Sequence, residues 1–342
     1  MLKANSTPID FVITWVDGSD IAWQIEKEKF LHKIPKNNLS KWNTGKTRYR
    51  DWGLMKYWFR GVEKFAPWVH KIYFVTCGQI PDWLDVTHPK LQIVNHKDYI
   101  PEKFLPTFKS HCIELNFHRI NGLSEQFVYF NDDMFLTKKV KPEDFFKNGL
   151  PCDTAILAPI FLKQNGIRAE INNLYIINEY FQKNQVIKKN FLKWFSLLYG
   201  ANIIKTFLLL PFHYFTGFYI THLPCSYLKK TYEEVWEKVP HILEETCEHR
   251  FRDTTDVNQW LFEYWQLVEG VFCPRNPDIG KMYEGDGTIL DMCNDIQRQK
   301  YKMICFNDSI DINNFEATKK TVQDAFDYIL QEKSSYERST SQ

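Results

Sequence analysis

The sequence has no C-x-x-C pair, no G-x-x-x-x-G-K-[ST] phosphate loop, no excess of one charge sign and no apolar run of the ~20 residues a membrane span requires. Each absence removes a class of function. Lys plus Arg number 43 against 42 Asp plus Glu, and a net charge of +1 argues against a general nucleic-acid binder. The 8 cysteines are scattered, without the dense spacing of a secreted disulfide scaffold or the Cys/His spacing of a zinc site, so free thiols in a reducing compartment are expected. The opening MLKANSTPIDFVITWVDG lacks the charged, apolar and small-residue regions of a signal peptide. A cytoplasmic location follows as an expectation. No repeat of solenoid period is found.

What the sequence does have is apolar and aromatic mass. Hydrophobic residues are 44% and aromatics 16% of 342 residues, enough for one large α/β domain, alone or with a substantial insertion. DFVITWVD (10–17) reads as a buried strand that ends in the Asp17-Gly18 turn, the position where open α/β sheets place ligands. GLMKYWFRGVEKFA (53–66) has helical spacing, and KIYFVTCG (71–78) and LQIVNHKD (91–98) read as further strands. This alternation predicts a layered, Rossmann-like α/β fold with a central sheet. Divisions are expected at 1–160 (α/β part with the NDD motif), 161–225 (aromatic-rich helical insertion), 226–332 (helical part) and 333–342 (disordered tail). Residues 281–300 read as loop-rich, and a last helix is expected from about 316 to 332.

The stretch FVYFNDDMFL (127–136) puts adjacent carboxylates at the end of a buried strand, where they repel one another and resist desolvation unless a cation or strong donors compensate them. CFNDS (305–309) repeats the theme. Asp133, Asn307 and Asp308 are hard oxygen donors of the type Mg²⁺ or Mn²⁺ prefers when it also holds phosphate oxygens. Just upstream, SHCIELNFHRI (110–120) reads as a helix with Ile113, Phe117 and Ile120 toward the core and His111, Glu114 and His118 on another face. That polar face is either solvated or part of a site.

From 191 to 220 the chain is almost entirely aromatic and aliphatic, interrupted by Lys193, Lys205, Pro211 and His213. Two readings stand: an interfacial patch resting on a membrane surface, or a helical hairpin packed on the main sheet.

Taken together, DFVITWVDGSDIAW (10–23), the block from Arg48 to Leu84, the block from Leu105 to Leu136, THLPCSYLKKTYEEVW (221–236) with HRFRDTTD (249–256), and CFNDS resemble the Stealth family of sugar-phosphate transferases. That family includes bacterial capsular and exopolysaccharide phosphotransferases and the eukaryotic lysosomal-enzyme N-acetylglucosamine-1-phosphotransferase. The resemblance implies a glycosyltransferase-A-like sheet and transfer of hexose-1-phosphate from a UDP-hexose or UDP-N-acetylhexosamine to a hydroxyl of an acceptor glycan, with release of UMP. It implies a divalent ion, Mg²⁺ or Mn²⁺. It also implies a lipid-linked or growing polysaccharide as acceptor, since the chain lacks the long spacers and accessory modules of the eukaryotic relatives. A peripheral position at the inner face of the plasma membrane would suit such an acceptor.

Carried over residue by residue, Glu114, Asp133, His222 and Arg252 match the family's functional positions, with Asp256 closing the R-x-x-x-D stretch. The resemblance places Asp133, Asn307 and Asp308 on the metal, Arg252 on phosphoryl oxygens, and His222 or Glu114 as the base. Asp17, Gly18, Arg48, Arg50, Asp51 and His118 are candidate substrate contacts. Asp17 and Asp20 could instead cap a helix, Arg48, Arg50 and Asp51 could be a solvated pairing, and His118 could only support Glu114. Two rivals remain: a conventional metal-dependent glycosyltransferase, which would release UDP, and a non-catalytic glycan-binding or membrane-scaffold protein.

Overall fold

Phe11 and Ile13 face one side of their strand and Val12 the other, and all three are fully buried, so this strand must lie inside a sheet covered on both faces. The computed structural model describes residues 7–32, 50–161, 168–308, 312 and 314–339. Its strands are β1 (Ile9–Thr14), β2 (Ile72–Thr76), β3 (Leu91–Asn95), β4 (Gln126–Phe130), β5 (Met134–Leu136), β6 (Phe146–Lys147), β7 (Leu150–Asp153), β8 (Cys225–Leu228), β9 (Cys273–Pro274), β10 (Gly280–Glu284) and β11 (Met303–Asn307). The main sheet has the order β3-β2-β1-β4-β8, in which the first four strands are parallel and β8 runs antiparallel to β4. This is the expected Rossmann-like α/β arrangement. The connection from β1 goes to β2 on one side, and β4 lies on the other, so the β1/β4 boundary is the topological switch point.

Helix Met55–Phe65 covers one face of the sheet, burying Tyr57, Trp58, Phe59 and Val62 against Phe11, Ile13, Phe74 and Phe130. The opposite face carries Val12, Tyr73, Phe127 and Tyr129 under helices Lys229–Lys238 and Trp260–Glu269. Trp194, Tyr199, Phe215 and Phe218 of the aromatic-rich segment belong to that same cluster, so the segment is built onto the main sheet rather than set apart from it.

A second sheet, β10-β11-β5, positions the site. The chain leaves β4, turns through Asn131–Asp133 and returns as β5, against which β11 pairs antiparallel with Cys305 opposite Met134. The Phe306 amide donates to the Asp133 carbonyl at 2.8 Å. Two segments are thereby pinned side by side although Met134 and Cys305 are 171 residues apart in sequence.

Three sequence expectations change. Residues 281–300 are not loop-rich: they hold most of β10 and helix Ile289–Gln297, whose buried Ile289, Met292, Cys293 and Ile296 have helical spacing. The helix predicted over 110–120 is α-helical only over Ser110–Leu115 and breaks at Asn116 before a 3₁₀ turn, Phe117–Arg119, which separates His118 from His111 and Glu114. The tail expected to be disordered docks as far as Arg338, whose amide donates to the Trp83 carbonyl at 2.8 Å. Tyr336 is buried against Phe59, and the Glu337 carboxylate accepts from buried Arg60 through Nε (2.7 Å) and Nη2 (2.8 Å). A planar guanidinium buried on the domain holds the tail by two parallel bonds.

Candidate active site

Asp133 sits at the end of the β4 turn with its Oδ1 buried and without a hydrogen-bond partner among the described residues. Burial pushes its carboxyl up to about 6, and a hydrogen bond from the Cys305 thiol draws it back only in part. The same burial pushes the Cys305 thiol well above its ordinary value, so the group beside Asp133 is a neutral thiol. β8 pairs with β4 so that Cys225 lies opposite Tyr129, which brings His222, three residues earlier, to the same end of the sheet. Donor atoms of Asp133, His222 and Cys305 all lie within 4.8 Å of one another. His222 holds φ at 48°, a left-handed conformation that L side chains rarely adopt and that surrounding structure must impose. Its ring stands edge-on to Trp260 at 5.6 Å, and burial lowers its pKa against a smaller opposing effect of Glu284. A neutral imidazole at physiological pH results.

Behind this trio, Glu114 is 2% exposed, and its Oε1 accepts from the Tyr129 hydroxyl at 2.9 Å. The same hydroxyl is bonded to Asn131 and lies 3.3 Å from Thr14 Oγ1. Glu114 is thus tied through one phenol to the ends of both β1 and β4, and it positions the turn that carries Asp133.

The R-x-x-x-D stretch folds around Asp256. Its fully buried carboxylate receives Lys109 Nζ at 2.7 and 2.6 Å, His111 Nδ1 at 3.2 Å, His249 Nδ1 at 2.9 Å and the Asp253 amide at 3.0 Å. Burial alone would raise this carboxyl, but the hydrogen bonds from His111 and His249 and the Lys109 charge outweigh it and hold the pKa well below the ordinary range. Burial also lowers His111 to about 3, and the positive charge of nearby Arg252 works in the same direction. Arg252 is therefore held beside the helix of Glu114 by an ion cluster centred four residues away.

The remaining predicted residues fall as follows. Asp17 accepts from the Ser19 amide (2.8 Å) and hydroxyl (2.6 Å), and its backbone is bracketed by Gln79 through bonds of 2.7 and 3.0 Å. Gly18 accepts from Gln24 Nε2 at 2.7 Å. Asp20 caps helix Ile21–Leu31 through the Ala22 and Trp23 amides, as one reading allowed. Asp51 is exposed and closes a turn onto the Gly53 amide. Arg48 lies outside the described residues. His118 packs beside Tyr232 and Trp236, where burial lowers its pKa to about 3. Asp308 accepts from Arg50 by two bonds, Nε to Oδ2 at 2.9 Å and Nη2 to Oδ1 at 2.7 Å, and from Trp52 Nε1 at 3.1 Å. Strand alternation explains the split within CFNDS: Cys305 and Asn307 share one face, while Asp308 extends to the other side, where Arg50 stacks on Phe315 at 4.6 Å. Arg50→Lys is expected to lower stability by about 1 kcal/mol by losing the paired bonds, as read by urea denaturation.

Of the three converging donors, Asp133 is the one suited to a hard divalent cation. A buried carboxylate oxygen without a donor is a hard ligand, and Mg²⁺ or Mn²⁺ is commonly held by one or two carboxylates together with substrate phosphates. The softer imidazole and thiol beside it suit that ion less well. Cys305, Lys109 and His249 were not foreseen as parts of the site. Cys305 had a signal, since it lies two residues before Asn307 on one strand face, whereas Lys109 and His249 had none without the fold.

The chain is similar to proteins of one known family. Two family models match: Stealth protein CR1, conserved region 1, over residues 7–35, and Stealth protein CR2, conserved region 2, over residues 48–153. The capsular polysaccharide phosphotransferase WcwK of Streptococcus pneumoniae is 45% identical over 98% of this chain and 99% of its own length. The receptor polysaccharide phosphotransferase WefC of Streptococcus oralis is 42% identical over 96% of this chain and 99% of its own. The exopolysaccharide phosphotransferase cps2G of Lactiplantibacillus plantarum is 41% identical over 99% of this chain and 98% of its own.

Proposed function

The chain belongs to the Stealth family, as a bacterial-type polysaccharide phosphotransferase, and we propose that it moves hexose-1-phosphate from a UDP-sugar to a hydroxyl of an acceptor glycan, releasing UMP. The observation that carries this reading is the convergence of Asp133 and His222 at the β1/β4 switch point, where one carboxylate oxygen lacks a donor and one imidazole is kept neutral. In the reaction, the acceptor oxygen attacks the phosphorus that bears the sugar. A new P–O bond forms, the bridging P–O bond to the nucleotide breaks, and UMP leaves with the bridging oxygen. His222 accepts the hydroxyl proton, a role its lowered pKa permits at neutral pH. Glu114 is the alternative base, but its bond to Tyr129 suits it better to holding the turn in place.

Arg252, beside the Asp256 cluster, is assigned to the phosphoryl oxygens, where positioning and charge neutralisation do most of the catalytic work. Asp133, with Asn307 alongside, would hold Mg²⁺ or Mn²⁺, which supplies positive charge to the diphosphate. Asp308, with both oxygens bonded to Arg50, is assigned instead to fixing that arginine next to the site. Asp17 and Gly18, at the end of β1, are assigned to the nucleotide side, and Arg50 to the donor diphosphate. A lipid-linked polysaccharide intermediate, met at the inner face of the plasma membrane, is the acceptor we favour.

Phosphorus NMR of the enzyme with a panel of UDP-sugars, acceptor and Mn²⁺ tests the reaction. UMP and a new phosphodiester resonance are expected. UDP with no phosphodiester would identify a conventional glycosyltransferase, and no nucleotide release with any donor would leave a binding protein.

A further inference from the structure

The aromatic-rich segment has two faces. Trp194, Tyr199, Phe215 and Phe218 are buried in the main core, whereas Phe191, Leu192, Leu197, Leu198, Phe207 and Leu208 are exposed, Leu192 by 83%, Leu197 by 90% and Leu208 by 70%. The exposed residues form one surface: the Phe191 ring lies 4.6 Å from Phe195, which lies 4.5 Å from Phe207, joining helix Phe191–Trp194 to helix Ile203–Leu209. Outward leucines and phenylalanines in such a group mark an interaction site.

Charge identifies the partner. From Phe181 to Tyr232 the sequence contains no Asp or Glu, while lysines recur, and Lys188, Lys189 and Lys205 are exposed. Next to Leu198 lies a cavity of about 380 Å³ whose lining includes Lys138, Lys147, Arg275, Lys300 and Lys302. Glu143, Asp144 and Asp278 also line it, Lys302 is bonded to Asp144 and Lys300 lies 3.4 Å from Asp295, so of the cationic side chains in the lining Lys138 and Lys147 are the ones that matter for an anionic partner. Arg275 is 6% exposed; its Nη2 lies 4.0 Å from Asp153 Oδ1, while its Nε and Nη1 have no hydrogen-bond partner among the described residues. An apolar face without acids, edged by lysines and adjoining a cationic cavity, would repel a second copy of itself and complements an anionic bilayer. No described helix is long and apolar enough to cross that bilayer, so the contact is with its surface.

We propose that residues 191–212 seat the protein on an anionic lipid surface, their outward side chains entering the acyl boundary, with a lipid phosphate in the Arg275 cavity. This deepens the lipid-linked acceptor reading above by naming the surface that brings the enzyme to it. It is tested without donor or acceptor, so its failure would leave the phosphotransfer reading untouched.

The full chain is floated with vesicles of phosphatidylcholine alone, or with about 30% phosphatidylglycerol, at about 0.1 and 0.5 M salt. At least about tenfold stronger partitioning into the anionic vesicles is expected, weakened by salt. Leu197→Asp/Leu208→Asp should lower that partitioning at least about tenfold, with melting temperature and UMP release from UDP-sugar to a soluble acceptor unchanged, because both positions are exposed. Lys138→Gln/Lys147→Gln should reduce the preference for anionic over neutral vesicles, and an unaltered preference would remove the cavity from the docking surface. The proposal is overturned by absent vesicle binding, by equal binding of the double-aspartate protein, or by a lipid-free dimer that the same substitutions dissociate.

Discussion

Asp133→Asn is expected to reduce turnover by at least about a thousandfold and, in the presence of a chelator, to raise the melting temperature at pH 8. The two effects share one cause. The fold buries a carboxylate oxygen without giving it a donor, so its ionised form is disfavoured and the carboxyl titrates near 6 instead of the ordinary 3.8. The sign follows from a folded-state pKa above the unfolded one. The unfavourable contribution is complete above pH 6, shrinks as the pH falls through that value, and is gone below 3.8. The difference corresponds to about 3 kcal/mol at most. The neutral amide keeps the shape and removes the charge, so its advantage should be largest at pH 8 and absent near pH 4. Calorimetry at those two pH values, beside UMP release at pH 7.5, checks both halves. A variant that keeps near-normal turnover would remove Asp133 from catalysis, and one that is inactive but less stable at pH 8 would show that the carboxylate finds its compensation within the protein.

Asp256→Ala should lower stability by about 3–5 kcal/mol, because it strands Lys109, which is 3% exposed, beside two histidines. The folded-state pKa of Asp256 lies below its unfolded value. Its contribution is therefore present above pH 3.8 and is lost as the pH falls further toward the folded value. Urea titration at pH 7 gives the loss directly. Lys109→Met/Asp256→Leu, which removes both charges and leaves apolar volume, should recover much of it. Turnover should not recover in that double variant, because the Asp253 amide loses its acceptor and the loop bearing Arg252 is no longer fixed. Recovery of activity together with stability would reduce the cluster to a structural element and Arg252 to a residue indifferent to it.

Local chemistry was legible in the sequence wherever one element carried it. The strand DFVITWVD, the Asp-rich turn after Phe130 and the order of the family blocks can all be read without a fold, because a buried parallel strand is apolar on both faces and an uncompensated carboxylate pair requires a partner. Pairings between distant segments could not be read that way. That Cys305 rather than Asp308 would stand beside Asp133 depends on the register of β11 against β5. A strand turns successive side chains to opposite faces, so adjacent residues of CFNDS had to part, one toward Asp133 and the other toward Arg50. The helix break at Asn116 sent His118 away from Glu114, and the docking of Glu337 on Arg60 drew in a tail that composition alone marks as loose.

The chain's own residues therefore determined its family, its sheet and the kinds of side chain at its working end. Tertiary structure decided which of those side chains meet and which face water, because burial and strand register belong to contacts between segments far apart in sequence. Those contacts raise the pKa of Asp133, hold Asp256 ionised, and leave one apolar face of 191–212 exposed among the described residues.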